Sequence, residues 1–372
     1  MILLLALGFP SSLTTAPGPV AAFAAATPSH EERLRALVAE PIPALLADAS
    51  TTRGSRIITL SNAAEACLRH AQADRWSFDE SLDAISRLSA AAIDRRIRPF
   101  DSPDGPFDEH NLFLTHWLIV VASLGRLDPL HSDVRRGPAI AHHLRAASLA
   151  HPSGIAASFP SPPARWPADQ AATLYALTLA DRTFGLDVSS EPIARYTTVV
   201  PTKAGTVPGL PVSEWTGTQP LHDRPRGSAV TWTVRYLADV APELARAWWV
   251  AGKPTFQSEG LGLHGFREWP ERDDHPADVD SGPILLGMST AATAFAIGAS
   301  RSVDDCAMFH ALSHTQSMVE EMVRDPDASA FSGVEAIRAV QSSALAVAVA
   351  ANQATIPTRC PDPPPHRPAA SN

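Results

Sequence analysis

Apolar residues recur along this chain at spacings of three and four, the period of an amphipathic helix rather than a strand. In residues 31–46, Leu34, Leu37, Val38 and Leu45 share one face, and Pro41 interrupts late. The same period predicts helices over 62–73, 77–93, 109–124, 133–149, 168–184, 227–240, 242–256, 283–299, 304–323 and 334–351. Strand-like alternation is nearly absent, and 196–200, opening on Tyr196, is the one tempting β segment. Proline and polar residues cluster between the apolar segments, which suggests helices joined by stiffened loops. The fold class expected is all-α: an (α/α) toroid or barrel of helical hairpins, of about eleven to twelve helices, with its pocket at one mouth. No fixed period of the kind that marks a helical solenoid is found.

Composition refines this picture. The 372 residues are 45% hydrophobic, enough for a sizeable core, and include 34 prolines. The net charge of −9, with no basic stripe, excludes nucleic acid as a partner, because binding phosphates needs clustered Lys and Arg. The three cysteines, Cys67, Cys306 and Cys360, are far apart and odd in number, so no disulfide framework or cysteine zinc site is expected. Ile2 to Phe9 is a short apolar run, and Ala22-Phe23-Ala24 offers small residues at a spacing that signal peptidases accept, although no Lys or Arg precedes the run. The expectation is a signal peptide or N-terminal apolar segment over 1–26, one toroid domain over 27–356 and a loose Pro-rich tail over 357–372. The protein would be exported, periplasmic or extracellular, and tethered to the membrane at most by that first segment. The uncharged run 282–300 nears bilayer-spanning length, but its Gly, Ser, Thr and Ala content reads as a buried helix.

Candidate chemistry concentrates in three charged loops that feed apolar helices. The densest holds Phe266-Arg267-Glu268-Trp269-Pro270 and Asp278-Val279-Asp280-Ser281-Gly282-Pro283. Proline suits a first helical position, so a helix start at Pro283 capped by Ser281 or Gly282 is expected, with Asp280 stabilised by the helix dipole. Asp278 and Asp280 alternate by two and project to one side of an extended stretch. With Glu268 near, such carboxylates can divide into acid and base. The second loop, Trp166-Pro167-Ala168-Asp169-Gln170, places Asp169 in a first helical turn and Trp166 as a wall for a ring-shaped ligand. The third, Asp223-Arg224-Pro225-Arg226-Gly227-Ser228, leads to Trp232 and brings Arg226 to a pocket mouth. Each residue also has an ordinary account as a cap or an ion-pair partner. What favours a site is three loops of one design, which a toroid would gather on one rim.

Trp166-Pro167-Ala168-Asp169-Gln170, Pro225-Arg226-Gly227-Ser228 and the two motifs of the densest loop resemble loop motifs of bacterial α/α-toroid proteins. They are most similar to the linalool dehydratase/isomerase-like family and, more distantly, to six-hairpin glycosidases. The resemblance spans about residues 165–301. It implies an (α/α)6 barrel with a central cavity. The dehydratase chemistry implied uses cysteines with acid–base partners, yet none of these loops carries a cysteine, and Cys306 lies beyond them. Acids beside aromatics fit carbohydrate chemistry better.

Other motifs carry less. Gly260-Leu261-Gly262-Leu263-His264-Gly265 matches a dinucleotide fingerprint literally but lacks the strand and helix that give it meaning, and reads as a flexible turn. His310 and His314 share a helix face without an obvious third ligand, and His110 and His116 have no tie to the three loops. No cofactor and no metal is expected. The sequence therefore points to an exported toroid enzyme, a hydrolase or lyase of a small neutral or saccharide substrate. Asp280 or Asp278 would be the base and Glu268 or Asp169 the acid, with Trp166, Trp269, Arg267, Arg226, Gln170 and Trp232 as the binding surface. The alternatives are a non-catalytic ligand-binding or structural toroid, and a linalool dehydratase/isomerase-like lyase.

Overall fold

A computed structural model describes residues 29–47, 53–107, 109–161, 163–202, 205–216, 219–222, 224–270, 277, 281–324 and 343–360. The expected signal segment, Asp278, Asp280, Asp223 and most of the tail lie outside the described residues. Thirteen α-helices are described: α1 His30–Ala39, α2 Pro41–Ala47, α3 Arg53–Gln72, α4 Phe78–Ala92, α5 Asn111–Leu127, α6 Gly137–Ala150, α7 Pro167–Phe184, α8 Ser190–Val199, α9 Gly227–Leu237, α10 Pro242–Phe256, α11 Thr290–Ser302, α12 Cys306–Arg324 and α13 Ala344–Thr355. Three antiparallel hairpins interrupt them: β1 Glu214–Thr216 with β2 Gln219–His222, β3 Gln257–Gly260 with β4 Leu263–Phe266, and β5 Ile284–Leu285 with β6 Met288–Ser289. The protein is thus mostly helical, as its periodicity requires.

Local chemistry sets the boundaries. Ser29 and Glu32 form a capping box at α1, each side chain bonding the other's backbone N–H at 3.1 and 2.6 Å. Pro41 cannot continue α1 and instead opens α2, so the predicted 31–46 helix is two. Pro167 occupies the first turn of α7, and Gly185, at φ +67°, ends it in the left-handed conformation that glycine adopts without strain. The tempting β segment at Tyr196 is helical, with Tyr196 buried and its hydroxyl donated to the Pro167 carbonyl at 3.0 Å. Helix α5 is buried continuously from Asn111 to Gly125, which explains why apolar residues occur all round it. No described helix is long and apolar enough to cross a membrane.

The packing order is regular. Helix α3 packs on α5, α5 on α7, α7 on α9, α9 on α11, α11 on α13, and α13 again on α3. The intervening helices flank these: α4 lies on α3 and α5, α6 on α5 and α7, α10 on α9, α12 on α11, and α1 on α13.

Two expectations fail here. The helix predicted from Pro283 begins at Thr290, because Ile284-Leu285 and Met288-Ser289 pair across a two-residue turn at Leu286-Gly287. Ser289, not Ser281 or Gly282, caps α11 by accepting the Ala292 N–H at 3.0 Å. The cysteines also pair: Cys306 and Cys360 form a disulfide across a Cα–Cα distance of 5.1 Å, leaving Cys67 buried and reduced. Residues 357–360, assigned to the loose tail, are therefore anchored. The Arg359 N–H and Asp304 carboxylate add a bond at 3.2 Å.

Candidate functional site

Gly227 is where two of the three predicted loops meet. The chain leaving β4 lies so close to the first turn of α9 that a Cβ on Gly227 would overlap the Arg267 carbonyl. Only glycine allows that approach. It lets the Gly227 N–H, unsatisfied within its own helix, donate to the Glu268 carbonyl at 2.8 Å. The Glu268 side chain then turns into the same corner, 1% exposed. Its Oε1 accepts from Arg226 Nε at 2.6 Å and Ser228 Oγ at 2.7 Å. Its Oε2 is buried with no hydrogen-bond partner among the described residues. The Arg226 guanidinium also lies over the Trp269 ring, 5.1 Å from its centroid. Arg267 holds the base of the β3–β4 hairpin, donating its N–H to the Phe256 carbonyl at 2.7 Å and Nη2 to the Gln257 carbonyl at 2.9 Å.

Neighbouring elements brace this corner. Thr293 of α11 accepts the Phe266 N–H at 3.0 Å. Ser289 donates to the Ser281 carbonyl at 2.8 Å, fixing the end of the segment that holds Asp278 and Asp280. The loop before α7 joins less directly. The Arg165 carbonyl accepts the Trp215 N–H at 2.9 Å, and Ser213 in turn donates to the Arg224 carbonyl at 2.5 Å. Asp169 accepts from Ser158 Oγ at 2.6 Å in the first turn of α7. Gln170, expected to bind substrate, is buried and uses its amide on Ser148 Oγ and the Ala156 N–H, both at 2.9 Å. Trp166 meets Phe159 edge-on, and Trp232 is buried between Phe295, Tyr236 and His116. Glu268, Arg226, Trp269 and Arg267 thus lie together at this corner. Gln170 and Trp232 lie apart from it, both buried.

A second polar cluster escaped the sequence reading. Glu65 of α3, 2% exposed, accepts from the Tyr175 hydroxyl at 2.5 Å, Arg69 Nη2 at 2.9 Å and Asn352 Nδ2 at 3.0 Å. Arg235 of α9 lies 3.6 Å from the same carboxylate and stacks on Tyr175 and Tyr236. Burial opposes the charge on Arg235, but Glu65 and Asp239 beside it hold its pKa above the ordinary arginine value. Close by, His116 and Ser61 bond at 2.7 Å, both fully buried. Burial alone pushes His116 down to about 3, so it is neutral at ordinary pH. A signal did exist: Glu65 sits between Ala64 and Ala66, and Arg235 between Val234 and Tyr236. A charge inside an apolar helical run must find a partner.

The cluster can keep four helices in register, whereas the Glu268 corner, at a loop junction with an unsatisfied carboxylate oxygen, can accept a proton or a hydrogen bond. A cleft of about 410 Å³ near Trp76 and Phe78 contains none of the predicted site residues. No family model matches the chain, and no curated protein matches it either.

Proposed function

We propose that this chain is an exported, ring-shaped α/α protein that acts on a small neutral substrate of saccharide type, as a hydrolase or lyase, where the loops before α7, α9 and α11 gather. Support for the ring comes from packing order: each odd-numbered helix from α3 to α11 packs on the next odd-numbered one, α13 returns to α3, and α4, α6, α10, α12 and α1 flank them. In such a ring the odd-numbered helices run one way, so their leading loops share one rim. The resemblance of those loops to the linalool dehydratase/isomerase-like group accords with this reading. The Cys306–Cys360 disulfide accords with an oxidising compartment.

The observation that carries the catalytic reading is the half-satisfied Glu268 carboxylate. Arg226 and Ser228 occupy Oε1, while Oε2 is buried without a partner. Leaving a buried acceptor unsatisfied costs about 1–3 kcal/mol, which a substrate hydroxyl or a water delivered to Oε2 would recover. Paired with Arg226 as a carboxylate, Glu268 carries no proton to give, so it fits a base or acceptor, not the acid. Asp169, Asp278 or Asp280 would supply the proton donor.

A second reading, a non-catalytic ring, is favoured by the near-complete burial of Glu268 and its backbone lock to Gly227. Glu268→Gln separates the two, because its amide oxygen can still accept from Arg226 and Ser228. Purified protein would be incubated with aryl glycosides, oligosaccharides and linalool, and products measured chromatographically. Turnover of the accepted substrate is expected to fall by at least about 100-fold, with the thermal midpoint nearly unchanged. Activity that merely tracks the folded fraction, or no turnover of any compound by the wild type, would favour the non-catalytic ring.

A further inference from the structure

The hairpins β3–β4 and β5–β6 share an unusual turn. Gly260 pairs with Leu263, and Leu285 with Met288, so each hairpin closes over two residues, Leu261-Gly262 and Leu286-Gly287. All four have positive φ: 55° and 76° in one turn, 53° and 77° in the other. This is a type I′ turn, whose first position normally holds Asn, Asp or Gly. Leucine there is strained, since its Cβ crowds the following carbonyl in the left-handed region. Both leucines also stand in solvent, Leu261 83% and Leu286 58% exposed. The chain thus carries the same strained, exposed apolar residue at two tips. The hairpins touch where Gly265 lies against Met288. Strand rise then puts the tips within roughly 20 Å of each other.

We propose that these two tips form a shallow membrane-insertion surface for neutral, zwitterionic lipid. Neither hairpin contains Lys or Arg, and Glu259 stands beside the first tip, so an anionic surface would gain nothing. The net charge of −9 argues the same way. Two leucine side chains offer on the order of 200 Å² of apolar surface, far below the roughly 800 Å² per partner that a stable protein interface buries. Protruding tips of that size suit insertion among lipid headgroups, where apolar side chains partition without a shaped partner. The entry of the described chain agrees. Strand β4 is docked on α12 through the His264 N–H and Thr315 Oγ1 at 2.7 Å. His30 contacts the next residue of α12, Gln316, at 3.3 Å. The described chain thus enters beside this hairpin. The inference is independent of the chemistry at Glu268.

The test is co-sedimentation of the protein with phosphatidylcholine vesicles, comparing wild type with Leu261→Asn/Leu286→Asn. Asparagine suits the turn, so the thermal midpoint should hold or rise, while vesicle binding should fall by at least about tenfold. Adding phosphatidylserine should not strengthen wild-type binding. A Leu261→Cys variant labelled with an environment-sensitive dye should brighten on meeting vesicles; Cys67 is buried and the other cysteines are bonded, so the label goes to the tip. Equal binding by wild type and the double variant, no wild-type binding, or an unresponsive label overturns the proposal. So does a wild-type dimer that the double variant dissociates, which would assign the tips to a second copy of the chain.

Discussion

Gly227 and Glu268 show how much one residue can decide. The glycine has no favourable φ to justify it; its value lies in the space that a side chain would fill. Gly227→Ala forces a methyl group into the Arg267 carbonyl, and an expected loss of about 3 kcal/mol should appear in urea denaturation. If the variant unfolds at the wild-type midpoint, the close approach is not needed. His116 makes a separate prediction. The unfolded chain binds its proton near pH 6.5, the folded chain only near about 3. Between those values the unfolded state holds more protons, so stability falls as pH falls through that window, by about 1.4 kcal/mol per unit, and the effect vanishes above it. Acidification from pH 6.5 to 4.5 should therefore cost wild type about 2 kcal/mol more than His116→Gln; equal slopes would refute the assignment.

At the scale of elements, the start of α11 is instructive. Pro283 carries a good helix-start signal, yet Leu286-Gly287 closes a hairpin first, and the start passes to Ser289. Proline position is a local preference, and the pairing of Ile284-Leu285 with Met288-Ser289 overrode it. Ser289 both caps α11 and donates to the Ser281 carbonyl, so Ser289→Ala should cost about 1–2 kcal/mol by thermal denaturation. The match at α7 was closer, because Pro167 and Gly185 mark both of its ends in the sequence itself. The three hairpins were invisible to a search for alternation: none of their strands exceeds four residues, too short to display a period of two.

At the scale of the molecule, two features hold the last helix. Asn352 of α13 bonds Asn62 and Glu65 of α3 at 2.7 and 3.0 Å, and Arg69 bonds Asn352 in return. Breaking the cluster by Arg235→Met leaves Glu65 buried with less compensation, and a loss of about 3–5 kcal/mol is expected in chemical denaturation. A smaller loss would mean that Arg69 and Tyr175 suffice. The disulfide closes a loop of 54 residues, which in the chain-entropy account stabilises the fold by about 4 kcal/mol. Reductant should lower the wild-type thermal midpoint to that of Cys360→Ser and leave the variant unchanged.

The sequence by itself determined the helical class, the positions of most helices and the three charged loops, because these follow from local periodicity and from the chemistry of proline, glycine and acids. It also brought Glu268 and Arg226 into view as candidates, since charges beside aromatics on loops are conspicuous locally. Only tertiary structure decided that those two residues pair, that Gln170 and Trp232 are buried, and that Glu65 meets Arg235 across 170 residues of chain. It also decided that Cys306 meets Cys360. Each is a contact between segments remote in sequence, and such contacts arise from how helices pack, which no local pattern records.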